Sequence, residues 1–273
     1  GKGGVWEPLP ERKLTRGQKA AAACVRSINN CGLNAIVGGR SSESVRELLS
    51  QSPATLGKHK RYKTCAIVGN AGHLVHKQYG PYIDQHELVV RFNVMTISDR
   101  VSSNVGNKTS IRIMNHSRSK YACCQGKLPE RSRDAKERPT LVLWHPAAQD
   151  EIRLSCKKRF PENAVYGLST QFIKEEAGAM KAMRKDLMKM GFQRFGPWKQ
   201  LTSGGHAVLL FMRMCDTVSL YGFTSYPPLQ EGPDQYGGRK KKSSSGRRWH
   251  DWVGESYAWR LLHATGRLTI CSL

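Results

Sequence analysis

The run Thr64-Cys65-Ala66-Ile67-Val68, broken by Gly69-Asn70-Ala71-Gly72, constrains this chain more than any other stretch. A short apolar run without polar alternation suits a strand buried on both faces, and the switch to glycine and asparagine marks the turn that ends it. Residues 88–92, 110–114 and 141–144 read as further strands, and residues 216–223 as one more that ends in glycine. Helical patterns lie between and around them. Residues 173–190 carry Met180, Met183, Leu187 and Met190 at helical spacing, the mark of a core face. Residues 205–214 read as a buried helix, and residues 255–265 as an amphipathic helix running into a strand at 267–271. Two helices, at 16–27 and 43–49, are predicted in the polar first 60 residues. This alternation predicts an α/β layered domain with a mostly parallel sheet, its ligand lying beyond the carboxyl ends of the strands.

Two glycine turns stand at such ends, Gly69-Asn70-Ala71-Gly72 and Leu201-Thr202-Ser203-Gly204-Gly205. Each can offer backbone N–H groups at a helix N-terminus to a phosphate. Neither has the G-x-G-x-x-G or Walker spacing, so no nicotinamide or ATP site is indicated. From the residues alone, the expectation stops at a ligand that carries phosphate.

The net charge of +23 favours anionic partners. The basic residues are scattered, and neither a helix-turn-helix pattern nor an aromatic-studded sheet signature is present, so a nucleic-acid module is disfavoured. The densest basic run, Arg239-Lys240-Lys241-Lys242, sits in a long loop at 224–249 and reads as a solvated segment or a clamp for an acidic substrate. No stretch is apolar enough to span a membrane. None of the eight cysteines forms a C-x-x-C pair.

Three ordered blocks carry a resemblance. Residues 65–74, continuing through Tyr79-Gly80, Ile83-Asp84-Gln85-His86 and Val90-Arg91-Phe92-Asn93 to Val105-Gly106-Asn107-Lys108-Thr109, resemble the long sialylmotif of the eukaryotic sialyltransferases. Leu201-Thr202-Ser203-Gly204 through Tyr221-Gly222-Phe223 resembles the short one. His250-Asp251-Trp252-Val253-Gly254-Glu255 has the H-x-x-x-x-E spacing of the very short one.

The resemblance implies a variant GT-A fold with a Rossmann-like sheet flanked by helices on both faces, and a Cys65–Cys215 disulfide. It implies residues 1–60 as a stem and 61–273 as a single catalytic domain in the Golgi lumen, with a membrane anchor upstream. The activity implied is inverting, metal-independent transfer of an acidic sugar from a CMP-sugar donor, CMP-sialic acid or CMP-Kdo, to a glycan hydroxyl. CMP-Kdo would serve pectin rhamnogalacturonan II synthesis, as proposed for plant and algal relatives. Gly69, Asn70, Gly72, Asn93, Thr202, Ser203 and Gly204 are implied as donor-binding, and His250 as the base that takes the acceptor proton.

The chain departs from the family in two places. Its third motif is Gln235-Tyr236-Gly237-Gly238, which lacks the histidine that assists the leaving phosphate and leaves Tyr236 or a basic-loop residue for that role. His73 also replaces the second asparagine of G-N-x-G-N. The altered third motif fits, alternatively, a member that binds CMP or glycan without turnover. Glu255 is expected to orient the site or cap a helix, and His145 to line the acceptor site, while His86, His206 and His263 read as structural.

Overall fold

The computed structural model describes residues 49–50, 61–125, 138–145, 151–192, 195, 199–225, 235–237 and 249–272. The helix predicted at 16–27 and the basic run at 239–248 lie outside them. Eight strands form one sheet in the order β1-β6-β5-β4-β3-β2-β7-β8: β1 Leu49–Ser50, β2 Tyr62–Val68, β3 Leu88–Phe92, β4 Ile111–Met114, β5 Thr140–Leu143, β6 Val165–Leu168, β7 Cys215–Tyr221 and β8 Thr269–Ile270. All neighbours pair in parallel except β1, which runs antiparallel to β6 at the edge. Leu49, expected at the end of a helix, is thus in a strand, where the backbone of β6 supplies hydrogen-bonding partners that a short polar helix lacks. The expected α/β class with a mostly parallel sheet is what the chain forms.

The helices are α1 Gly80–Asp84, α2 Asp99–Val105, α3 His116–Gln125, α4 Glu151–Arg159, α5 Thr170–Lys189, α6 Ser203–Met214 and α7 Trp252–Ala264, with a 3-10 turn at Gly72–His76. The largest apolar cluster joins β2, β3 and β7 to α5, α6 and α7, and Met180 and Met183 are buried in it as their spacing predicts, with Met190 packed against it and Leu187 also buried. A second cluster packs α3 and α4 against β4 and β5, stapled by a Cys123–Cys156 disulfide. Cys123 sits next to Cys124, and no spacing signal pointed to its partner 33 residues away. The third cluster lies under the 3-10 turn, α1 and α2.

The strand order places the site. Strands β3 to β6 extend to one side of β2 and β7 to the other, so the chain reverses direction across the sheet between β2 and β7. Diverging connections leave a crevice at their carboxyl ends. There Gly69 and Gly222 meet backbone to backbone: Gly69 N–H donates to Tyr221 O at 2.7 Å, and Ala71 N–H to Gly222 O at 3.2 Å. A Cβ on Gly69 would stand 2.2 Å from Gly222 O, and Gly222 has φ of 67°, so glycine is required at both positions. The implied Cys65–Cys215 disulfide is present and ties these two strands across a sequence separation of 150.

Candidate active site

The long block is largely a scaffold that aims two asparagines. Asp84 accepts the N–H groups of Asn107 and Lys108, and Arg91 donates to Val105 O and Lys108 O, so the block closes on itself. Arg112 donates to the carbonyls of Asn93 and Met95. Arg91 and Arg112 are 1% and 4% exposed, and burial lowers the pKa of both, Arg112 to about 10. Even so, both remain cationic near neutrality and place positive charge beneath the asparagine turns.

Asn93 adopts φ of 53°, a left-handed conformation that asparagine tolerates better than most residues. Its Oδ1 accepts Asn115 N–H at 3.2 Å, which fixes the amide and leaves the Nδ2 hydrogens to donate outward. Asn70 is the complement. Its Oδ1 is buried and has no hydrogen-bond partner among the described residues, a costly state for an amide oxygen. One asparagine therefore has amide hydrogens, and the other an amide oxygen, without a partner among the described residues.

Tyr236 is brought to this turn by its backbone. Its N–H donates to Asn70 O, and Gln235 bridges Ala71. The phenol is 3% exposed and packs with Leu74, Ile83 and Val89, and its hydroxyl faces Arg91 and Arg112. Burial raises its pKa despite those two cations. Its backbone thus holds the Asn70 carbonyl in place.

At the second turn, the four N–H groups without helical partners at the start of α6 can be accounted for one by one. Thr202 N–H donates to Glu255 Oε1 at 2.8 Å, and Gly205 N–H donates to Thr202 Oγ1 at 2.9 Å. The amides of Ser203 and Gly204 remain, at the positive end of the helix dipole. Phe223 was not singled out from the sequence, yet its ring lies over both turns. A Cβ on Gly69 would be 3.2 Å from it, and one on Gly204 3.0 Å. It offers a flat surface between the two turns.

The third block grips the second. His250 Nδ1 lies 3.0 Å from Gln200 O, and because a carbonyl only accepts, Nδ1 carries the proton and Nε2 its lone pair. Gln200 N–H returns a bond to Trp249 O. Five residues on, Glu255 takes Thr202 N–H and the Thr202 hydroxyl, the latter at 2.6 Å. The histidine and the glutamate hold the two ends of the segment 200–202, which is what their spacing achieves. The helix-capping role belongs instead to Asp251, whose Oδ1 accepts Gly254 N–H. Burial lowers the His250 pKa below 6.5, and burial raises Glu255 to about 7 against the two Thr202 bonds.

Of the other histidines, His145 is half-buried, with its ring 5.4 Å from Trp144 and 5.5 Å from His116. Gly72 opens the 3-10 turn, and His73 bonds Ser272 from a buried position. His206, read as structural, is buried against Glu176 and Trp144 immediately behind Ser203. Among the described residues, no three His, Cys, Asp or Glu side chains group as metal ligands.

The architecture is that of an α/β protein whose mostly parallel sheet has a switch point flanked by two glycine turns. Residues 32–267 match the model of glycosyltransferase family 29 (sialyltransferase), and the chain belongs to that family. It is 28% identical over 234 residues to the mouse alpha-N-acetylgalactosaminide alpha-2,6-sialyltransferase 2, covering 75% of this chain and 59% of that protein. It is 25% identical over 184 residues to a sialyltransferase-like protein 2 of Oryza sativa subsp. indica, covering 62% and 46%. A stretch of 56 residues is 46% identical to an Arabidopsis thaliana beta-1,6-galactosyltransferase, covering 20% of this chain and 14% of that protein. The chain thus spans less than two thirds of the length of the curated relatives it matches. Among solved structures, a mammalian sialyltransferase superposes with a TM-score of 0.52 at 18% identity, covering 88% of this chain and 83% of that one. The same comparison with a mammalian sialyltransferase in complex with Gal-beta-1-3GalNAc-ortho-nitrophenol gives a TM-score of 0.51, with 94% and 85% covered.

Proposed function

We propose that this chain is the catalytic part of a Golgi glycosyltransferase of variant GT-A fold, anchored through a segment upstream of residue 1. It moves sialic acid or a related acidic ulosonic sugar from a CMP-sugar to a glycan hydroxyl, with inversion and without a metal. The observation that carries this reading is the asparagine pair at the switch point: Asn70 with a buried, unpartnered acceptor and Asn93 with outward donors. Cytosine offers the matching polarity, an amino donor beside ring and carbonyl acceptors, whereas uracil reverses two of these groups. Phe223 gives the base a face to lie on, and the Ser203 and Gly204 amides receive the phosphate.

In the reaction, His250 Nε2 takes the proton of the acceptor hydroxyl as that oxygen attacks the anomeric carbon from the face opposite the phosphate. The bond from the anomeric carbon to the phosphate oxygen breaks, and CMP leaves with the electron pair. The amides at the start of α6, with the field of Arg91 and Arg112 beneath, stabilise the charge that develops there. Tyr236 serves this step by holding Asn70 in place.

The test is transfer by the purified chain onto a glycan acceptor mixture with CMP-N-acetylneuraminate, CMP-Kdo and UDP-galactose in parallel, each with and without EDTA. Turnover with a CMP-sugar, unaffected by EDTA, is the expected result, and the active donor names the sugar. Turnover with UDP-galactose alone would overturn the reading.

The pH profile follows from the two titrations. His250 must be neutral to accept a proton, so with its pKa held below 6.5 the rate falls about tenfold per pH unit only below that value. Glu255 adds a limb near 7 where its carboxyl takes up a proton. In Glu255→Gln the limb near 7 is expected to vanish and the lower one to stay. A single limb that Glu255→Gln leaves unmoved contradicts this assignment.

A further inference from the structure

We propose that Trp144 is a positioning residue that biases the Ser203 hydroxyl to donate its hydrogen bond toward the donor phosphate, with the buried His206–Glu176 pair clamping the indole; this rests on the CMP reading of the cleft. The argument begins with polarity. Trp144 Nε1 lies 2.9 Å from Ser203 Oγ, and an indole N–H can only donate, so the serine oxygen accepts. That engages one lone pair and leaves the hydroxyl proton to point elsewhere. Among the described residues no acceptor receives it. Ser203 is the first residue of α6, so its hydroxyl emerges beside its own amide and that of Gly204. All three are donors. A serine without the indole could equally well turn a lone pair toward an anion, which would repel it.

The indole is itself immobilised. Trp144 follows β5, is 3% exposed, and stacks on His206 with ring centroids 4.3 Å apart at 31°. His206 is fixed in turn by Glu176, with Nδ1 2.5 Å from Oε2, and the two residues are 2% and 1% exposed. A purely structural pair would be expected to satisfy its polar atoms. Here His206 Nε2 and Glu176 Oε1 are both buried without partners among the described residues. A leucine and a phenylalanine would fill this space without leaving polar atoms unpaired. What the polar pair adds is a fixed ring orientation, because the hydrogen bond to Glu176 permits one rotation of the imidazole and hence one plane for the indole above it. The same pair approaches Glu255, so the clamp and the grip on Thr202 form one buried polar layer behind the turn.

The experiment is calorimetric titration of CMP and of cytidine into the wild type, Trp144→Phe, Ser203→Ala and the double variant. Each single change is expected to weaken CMP about tenfold, with the double no weaker than either single, while cytidine binding stays unchanged. Additive losses, equal losses for cytidine, or Trp144→Phe binding CMP like the wild type would overturn the proposal. Replacing Trp144 with benzothienylalanine, which keeps the shape and removes the N–H, covers the case in which the phenylalanine variant unfolds, and the same tenfold loss is expected. Glu176→Gln, which keeps one bond to Nδ1, should retain CMP affinity where Glu176→Leu loses it. A wild type that binds cytidine but not CMP overturns the phosphate proposal alone, and one that binds neither overturns the CMP reading as well.

Discussion

Replacing His250 with alanine is expected to lower transfer about a thousandfold, within the range that a positioned general base contributes. That loss corresponds to about 4 kcal/mol of transition-state stabilisation. CMP affinity should change by less than about threefold, because the imidazole makes no bond to the asparagine turns and Glu255 still holds Thr202 at the start of α6. The segment 199–200 keeps its backbone bonds to Trp249 O, so the turn itself persists. Measuring kcat and CMP affinity on the same preparation separates the two effects. Near-normal turnover would remove His250 from the mechanism, and a parallel loss of CMP affinity would make it a structural residue.

Cys65→Ser is expected to cost about 4 kcal/mol of stability under non-reducing conditions. The bridge closes a loop over a separation of 150 residues, and chain entropy alone assigns about 5 kcal/mol to a loop of that length. Both sulfurs are almost wholly buried, so the serine also places a hydroxyl in an apolar core. For a chain of this size the melting temperature should fall by roughly 10 °C. Denaturant unfolding measures the loss directly, and Cys65→Ser/Cys215→Ser should lose little more than the single change. Two free thiols in folded, non-reduced protein would contradict the account.

The contrast between what the sequence made legible and what it hid is a contrast of range. Strand β3 and the second half of β2 were readable because parallel strands buried on both faces must be apolar, which leaves a run with no alternation, while β7 was marked by alternating apolar residues that end in glycine. Strand β6, Val165-Tyr166-Gly167-Leu168, is too short and too mixed to stand out, and α4 is so polar that its inward face is only Ile152 and Cys156. Strand β1 is two residues long and depends on β6 for its existence. The glycines at 69 and 222 were visible as turns, but not their contact with each other, which joins residues about 150 positions apart.

In the site, the sequence displayed which residues gather and concealed how each is aimed. The Asn93 amide is oriented by Asn115, whose N–H donates to its oxygen. His250 has a free Nε2 only because Gln200 holds Nδ1. Glu255 was open to two readings, orienting the site or capping α7, and its long-range bond to Thr202, 53 residues away, decides between them, because Asp251 caps the helix. Tyr236 was one of two readings for the leaving-group role, and what the sequence did not display is a buried phenol and a backbone bond to Asn70 O. Each of these outcomes turns on a partner far away in sequence, which no local pattern encodes.

The central claim, that the crevice between β2 and β7 receives a CMP-linked sugar, is tested most directly by titrating CMP and UMP into the purified chain side by side. The asparagine polarity predicts that CMP binds and that UMP binds at least about tenfold more weakly, since uracil opposes a donor to a donor and an acceptor to an acceptor. Equal affinity for the two nucleotides, or tighter binding of UMP, would contradict it.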